Sequence, residues 1–325
     1  MRMPETLARA VEQEILRLAP GNLRPAVEEL SRRYREGIGV PMQTAAQRAA
    51  YLVTRLPATY AAVTAVLEEL RRRAPNFSPT SLFDLGAGPG TAAWAACESF
   101  ESLRRITLVE RDAAMAETGR ELAMHSSCSA LRAAEWVGGD LASYEGERCE
   151  LVVMSYVVGE LPAAQRVMAV QRAWNAAGQA MVIIEPGTPA GFSRVIEARL
   201  RLIALGGNVA APCPHQQVCP MARRSAGARP EWCHFVQRLE RTALHRRLKN
   251  GELGHEDEKF SYVVAMREPV QRAEARIVRH PMQSKGRVKL ELCTLEGIEQ
   301  RLVTKSQGET YKEARKAKWG EEWAR

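Results

Sequence analysis

Ser81-Leu82-Phe83-Asp84-Leu85-Gly86-Ala87-Gly88-Pro89-Gly90-Thr91 is an apolar run that ends in an acid, breaks into three glycines and opens an alanine-rich stretch. An apolar run this short, bounded by glycine, reads as a fully buried strand, and the stretch after it reads as a helix. The glycines allow a sharp turn and a close approach of ligand to backbone with no Cβ in the way. Amides at the start of the following helix are free to meet such a ligand. Outward from this loop the same rhythm repeats: 106–110, 135–137, 151–156 and 180–185 read as further strands with helical segments between them, and a helix covers 191–205. Strands alternating with helices imply βαβ units and a mainly parallel, doubly wound α/β sheet. Before it, 1–75 carries apolar residues at helical spacing and reads as a helical preface, with 52–70 as one long stretch. After it, 260–266, 287–294 and 295–306 read as strands and 309–325 as a basic amphipathic helix.

Two acids sharpen the reading of the loop. Asp84 closes the first strand, and Glu110 closes the second, 26 positions later, where a carboxylate accepts from both hydroxyls of a ribose. Thr91 stands where a dinucleotide fingerprint has its last glycine. This pattern resembles the first motif of class I methyltransferases, whose glycine loop lies against the methionine part of S-adenosylmethionine. The resemblance implies a Rossmann-like class I methyltransferase fold and a cofactor site built from Asp84, Gly86, Gly88, Gly90, Glu110, Asp140 and Ser155, with Asp140 at the adenine amino group. Ser155-Tyr156-Val157-Val158-Gly159-Glu160 occupies the place where base-amino methyltransferases carry Asn/Asp-Pro-Pro-aromatic, and that motif is absent. Transfer to an exocyclic amine needs a group that holds the amine in line with the methyl, so no catalytic residue is assigned. Tyr156 and Glu160 are candidates for lining an acceptor pocket.

Hydrophobic residues make up 46% and charged residues 26% of the 325, a balance that excludes wholesale disorder. No apolar run approaches the roughly 20 residues a bilayer requires, and 1–20 has no apolar segment of the export type. The expectation is a cytoplasmic monomer with no membrane association. Charge is divided unevenly: residues 1–220 hold 23 Arg, no Lys and 23 acids, whereas 221–325 hold 23 basic and 15 acidic residues. The whole net charge of +8 therefore sits in the last third, where a polyanion is expected to dock. Arg223, Arg224, Arg238, Arg241, Arg246 and Arg247 are the candidate RNA contacts, with Arg194 and Arg199 as an extension.

Seven cysteines in a chain without an export pattern do not suggest a disulfide framework. Cys213, Cys219 and Cys233 fall in a segment rich in Pro and His, spaced by five and thirteen residues, and point to metal binding. Four thiolates suit an iron–sulfur cluster; a set drawing on His215 or His234 suits zinc, and spacing alone leaves both open. Cys97, Cys128 and Cys149 read as ordinary thiols.

Glu185-Pro186-Gly187-Thr188-Pro189, Ala211-Pro212-Cys213-Pro214-His215, Cys219-Pro220, Trp232-Cys233-His234-Phe235 and Asp257-Glu258-Lys259-Phe260-Ser261-Tyr262 together resemble the mitochondrial small-ribosomal-subunit assembly methyltransferase-like family and its bacterial relatives. The likeness runs from about Tyr51 to the carboxyl end. It implies a [4Fe–4S] cluster on Cys213, Cys219, Cys233 and Cys293, S-adenosylmethionine as cofactor, and small-subunit ribosomal RNA or an assembly intermediate as partner. The expected organisation is a helical extension (1–75), a methyltransferase-like domain (76–270) with a Cys-rich insertion at about 207–250, and a small β extension with a basic helix (271–325). Two functions remain: an rRNA methyltransferase, or a non-catalytic assembly factor that uses the fold as a platform. An iron–sulfur redox protein is a distant third.

Overall fold

The structure, a computed structural model, describes residues 2–18, 21–36, 42–139, 146–222, 231–248 and 253–324, without the side chains of 33–36, 243 and 247. Asp140, Arg223 and Arg224 lie outside the described residues, as does the side chain of Arg247.

Four helices precede the sheet: α1 (Glu5–Leu18), α2 (Arg24–Glu36), α3 (Ala45–Thr54) and α4 (Leu56–Arg73). Thr44 starts α3 with a reciprocal cap, accepting from Gln47 N–H at 3.2 Å while its own N–H donates to the Gln47 side chain at 3.1 Å. The stretch expected as one helix is two, bent by 43° at Arg55. Pro57 has no N–H to give to the preceding turn, so the helix restarts with Pro57 in its first turn. Among the described residues no single helix is long and apolar enough to cross a membrane.

The α/β portion runs β1 (Ser81–Leu85), α5 (Thr91–Ser99), β2 (Arg105–Glu110), α6 (Ala113–Ala123), α7 (Ser129–Arg132), β3 (Glu135–Gly138), β4 (Cys149–Ser155), α8 (Ala163–Ala176), β5 (Ala177–Pro186), α9 (Pro189–Ala204), β6 (Asn208–Ala211), β7 (Phe235–Glu240), α10 (Ala243–Leu248) and β8 (His255–Met266). Strand order is β3-β2-β1-β4-β5-β8-β6. The first five are parallel, β8 is antiparallel to β5, and β6 and β7 lie end to end along the other edge of β8. All five residues of β1 are buried because helices cover both sheet faces. On one face Leu82, Leu108, Val153 and Ile184 pack with Leu67, Leu70 and Trp94; on the other Phe83, Val109, Met154 and Ile183 pack with Val170, Trp174 and Leu202. This is the doubly wound α/β class expected from the sequence, with its switch point between β1 and β4.

A second, smaller sheet holds β10 (Met282–Ser284), β11 (Arg287–Cys293) and β12 (Ile298–Thr304) in that order, with β9 (Arg276–Ile277) on β11. Its inner side chains Val288, Leu290, Leu292 and Val303 pack on Ala314 and Trp323. The helix expected over 309–325 stops early, as α11 (Glu309–Lys316). Gly320 takes a left-handed φ of 93°, and the chain returns so that Trp323 N–H donates to Ala275 O at 2.9 Å, which seats the Trp323 ring in the core.

Arg276 joins the parts. Only 2% exposed, it donates to Pro212 O (3.0 Å), Gly320 O (2.9 Å) and Glu69 Oε1 (2.5 Å). Glu69, on α4, also binds Arg72 at 2.7 Å and Arg73 at 3.0 Å. Burial alone would raise the Glu69 carboxyl, but the Arg276 and Arg72 guanidiniums more than offset it and hold it below the usual range.

Candidate cofactor crevice and cysteine chamber

The glycine loop leaves β1 at the switch point and is stitched to β2, with Gly86 and Ala87 N–H both donating to Val109 O at 2.9 and 3.0 Å. Gly86, Gly88 and Gly90 have φ of 73°, 55° and 77°, a backbone that other residues rarely adopt. A Cβ on Gly86 would stand 2.2 Å from Val157 Cγ2, whereas one on Gly88 would meet nothing closer than the Tyr51 hydroxyl at 3.8 Å. Gly86 is thus packed against the segment after β4, and the space above Gly88 opens toward α3.

Glu110 braces that space. Its two oxygens accept from Gly88 N–H and Asp112 N–H, each at 2.8 Å, and each keeps acceptor capacity for a further donor. Asp84 is fully buried, and neither of its oxygens has a hydrogen-bond partner. Burial pushes its carboxyl up to about 7; the nearby Ala93 N–H acts in the opposite direction and Glu110 adds to the rise. Thr91 Oγ1 is likewise buried and unpartnered. Pairing of Asp84 with Val153 puts Ser155, half-buried at the end of β4, level with Gly86. The fold therefore brings Asp84, Gly86, Gly88, Gly90, Glu110 and Ser155 together at the carboxyl ends of β1, β2 and β4; Asp140 lies outside the described residues. Buried polar groups without partners are rare, and Asp84 and Thr91 are two of them, on either side of the glycine loop.

The segment after β4 carries a half-buried side-chain network. Tyr156 has a φ of 59°, the one left-handed non-glycine among the described residues. Its N–H donates to Ile184 O at 2.7 Å and its hydroxyl to Glu258 Oε1 at 2.9 Å. Glu258 receives two bonds from Arg55, at 3.0 and 3.3 Å, and the guanidinium lies 5.7 Å from the Tyr156 ring centroid. The Arg55 and Glu258 side chains are 14% and 10% exposed. Because Pro186 pairs with Phe260, Glu258 extends two residues past the end of β5, and the network roofs the carboxyl ends of β4 and β5. Nothing in the sequence pairs Arg55 with Glu258, which are 203 positions apart. Glu160 instead faces outward and pairs with Arg111 at 3.2 Å.

Cys213 after β6, Cys219 before a short turn, Cys233 before β7 and Cys293 at the end of β11 line one cavity with Arg199, His215 and Arg276. Burial, then the neighbouring thiols, raise Cys219 and Cys233, and push Cys293 up to about 12. His215 Nε2 is 3.6 Å from Cys293 Sγ. His234 is engaged elsewhere, stacked on Trp232 and edge-on to Trp319. Among the described residues no three His, Cys, Asp or Glu converge as a single metal ion requires. Arg199, expected on a basic surface, is 1% exposed beside these thiols; it donates to His215 O at 2.8 Å while its Nε and Nη1 have no partner.

Other expected RNA contacts are also engaged. Arg238 makes a two-pronged pair with Asp257 (2.8 and 2.9 Å), Arg241 pairs with Glu256 at 3.4 Å, and Arg194 with Glu185 at 2.6 Å. Arg246 is exposed with no acid partner among the described residues.

Sheet order and the glycine loop define a protein of the class I methyltransferase architecture, modified by a cysteine chamber. The chain belongs to the family described as mitochondrial small ribosomal subunit Rsm22, whose model matches residues 45–324. It is 31% identical over 293 residues to a human protein named "Ribosome assembly protein METTL17, mitochondrial", covering 83% of this chain and 61% of that one. A Schizosaccharomyces pombe protein named "Rsm22-cox11 tandem protein 2, mitochondrial" is 25% identical over 325 residues, covering 84% of this chain and 42% of that one. The chain thus spans less than two thirds of either relative's length. Among solved structures, magnesium protoporphyrin IX methyltransferase of Synechocystis with bound S-adenosylmethionine overlaps 73% of this chain and 90% of its own (TM-score 0.43, 12% identity). A putative RNA methyltransferase of Pyrococcus horikoshii overlaps 62% and 80% (TM-score 0.40, 14% identity). Neither likeness bears on chemistry. One expectation is overturned: the family and both curated relatives are described as mitochondrial, so a cytoplasmic location does not stand.

Proposed function

We propose that the protein is a small-subunit ribosome assembly factor that binds S-adenosylmethionine as a ligand, with a [4Fe–4S] cluster in the cysteine chamber. The observation that carries the non-catalytic reading is the Arg55–Glu258–Tyr156 network at the carboxyl ends of β4 and β5, on the side from which, in this reading, a methyl acceptor would have to line up with the sulfonium. The crevice itself suits the cofactor. Glu110 would take the ribose hydroxyls, the loop amides the methionine end, and the unpartnered Asp84 the cofactor's positive charge. The partner is small-subunit RNA or a partly built particle, in keeping with the names of the relatives.

Four thiols line one cavity, the donor set that a cluster takes, and the resemblance of the cysteine segment to the family favours a cluster over zinc. Arg199, whose Nε and Nη1 lack partners, supplies the positive charge that four thiolates and a cluster need in a dry site. Once bound, the cluster would crosslink the insertion to the small sheet, as structural metal centres do. Titration with S-adenosylmethionine, together with transfer of labelled methyl to small-subunit RNA and metal analysis of anaerobically purified protein, tests the whole reading. Binding without transfer, with iron and sulfide present, is the expected result. Methyl transfer would overturn the non-catalytic assignment, absence of binding the cofactor, and stoichiometric zinc the cluster.

A further inference from the structure

Arg238 and Arg241 are paired with acids on β8. The small sheet presents cations that have no such acids beside them among the described residues. Along β11 the inward residues Val288 and Leu290 fill the core against α11, so Arg287 and Lys289 point to the opposite face. Register places Ser284, Arg287 and Thr304 in one row across that face and Met282, Lys289 and Leu302 in the next, about 7 Å along the strands. The turn between β10 and β11 adds Lys285, and Lys305 N–H donates to Gly286 O at 2.9 Å, which fixes Lys305 beside the turn. Among the described residues none of Lys285, Arg287, Lys289 and Lys305 has an acid partner. Two large apolar side chains flank them in the open, Met282 at 59% and Leu302 at 53% exposure. At its other end the same face carries Cys293 opposite Ile298, and both line the cysteine cavity.

We infer that this face is the RNA-docking surface and that its occupant is a single-stranded segment. Cations without counter-charges match phosphates. Exposed aliphatic side chains between them match the faces of unpaired bases, which a duplex keeps stacked and hidden. Continuity with the cysteine chamber means that whatever fixes Cys293 also fixes the register of Arg287 and Lys289 on the same strand. The inference rests on the assembly-factor reading for the identity of the polyanion, but not for the location of the surface.

The test uses the full chain and a fluorescent 20-nucleotide RNA of mixed sequence, as single strand and as duplex, over a range of salt. Replacing Lys285, Arg287, Lys289 and Lys305 together by Ser should weaken single-strand binding by about 100-fold at moderate salt and lower the salt slope by about 3. Arg238→Ser with Arg241→Ser should leave both nearly unchanged. Met282→Ser with Leu302→Ser should narrow the preference for single strand over duplex while keeping the salt slope. An unchanged melting temperature in each variant confirms that the sheet is intact. If wild type binds RNA and the fourfold variant binds equally well, the location is wrong and the assembly-factor reading stands. If wild type binds no RNA at all, the assembly-factor reading fails with it. Displacement of bound RNA by poly-glutamate at equal charge would show an acidic-protein surface and overturn the inference.

Discussion

Asp84→Asn separates the cost of an unpaired acid from its use. The carboxyl is held at about 7 by complete burial, against an ordinary value of 3.8. In the folded state it therefore keeps its proton over a range where the unfolded chain has lost it. Folding takes up a proton between about pH 4 and 7, and stability falls as pH rises through that window, by roughly 4 kcal/mol in total. Asn has the same shape and no charge to bury. At about pH 8 the variant should be more stable than wild type by up to roughly 4 kcal/mol in urea unfolding, the gain shrinking toward zero near pH 4. Loosening around the site would reduce the gain without changing its sign. The ligand reverses the ranking. S-adenosylmethionine brings positive charge, so wild type should bind it more tightly as pH rises from about 5.5 to 7, below the α-amino pKa near 8, and the variant should lose both the affinity and the pH dependence. A variant less stable than wild type at about pH 8, or one that binds the cofactor equally well, would refute the assignment of Asp84 as a buried acid awaiting a cation.

Glu69→Ala should cost about 3–5 kcal/mol, because it leaves the buried Arg276 without its carboxylate; chemical denaturation measures it. The same pair gives an acid limb: a carboxyl held below its usual range contributes stability above its unfolded pKa and loses it as pH falls through the folded one, so the acid unfolding of Glu69→Gln should be shallower. Cys293→Ser should abolish the iron content and increase amide exchange in β11 and β12, read by mass spectrometry. Arg199→Met should leave the fold intact but make the cluster harder to reduce, because a positive charge beside it is gone; an unchanged midpoint potential would show that Arg199 serves packing alone.

Strands buried on both faces were legible because an apolar run bounded by glycine has few other readings, and β1, β2, β4 and β5 fall within a few residues of their expected places. What sequence did not show depends on partners distant in the chain. Short edge strands such as β7 and β9 carry no periodicity of their own and exist because β8 and β11 offer an edge. Arg238 and Arg241 look like free cations until β8 brings Asp257 and Glu256 alongside. The network at Tyr156 joins an arginine between two preface helices to a glutamate on β8, and no local pattern announces it. Arg199 is different, because its burial was readable: Val195, Arg199 and Leu202 follow helical spacing on one stripe, which puts the guanidinium on the apolar face of α9.

One cross-strand pair ties these observations together. Cys293 on β11 is opposite Arg276 on β9. The thiol faces the chamber shared with the insertion, and the guanidinium holds Pro212 next to Cys213, Gly320 in the carboxyl-terminal segment and Glu69 on α4. The proposed cluster and the buried ion pair would therefore grip adjacent points of the same two strands. Removing either releases the same joint, and neighbours that share a joint are not additive. The Cys293→Ser and Glu69→Ala changes combined should cost less than the sum of the two alone, since the first already frees the strand that the second unpins. A cost equal to the sum would mean that the chamber and the ion pair hold the small sheet independently, and that filling the chamber does not bear on how Arg287 and Lys289 are presented.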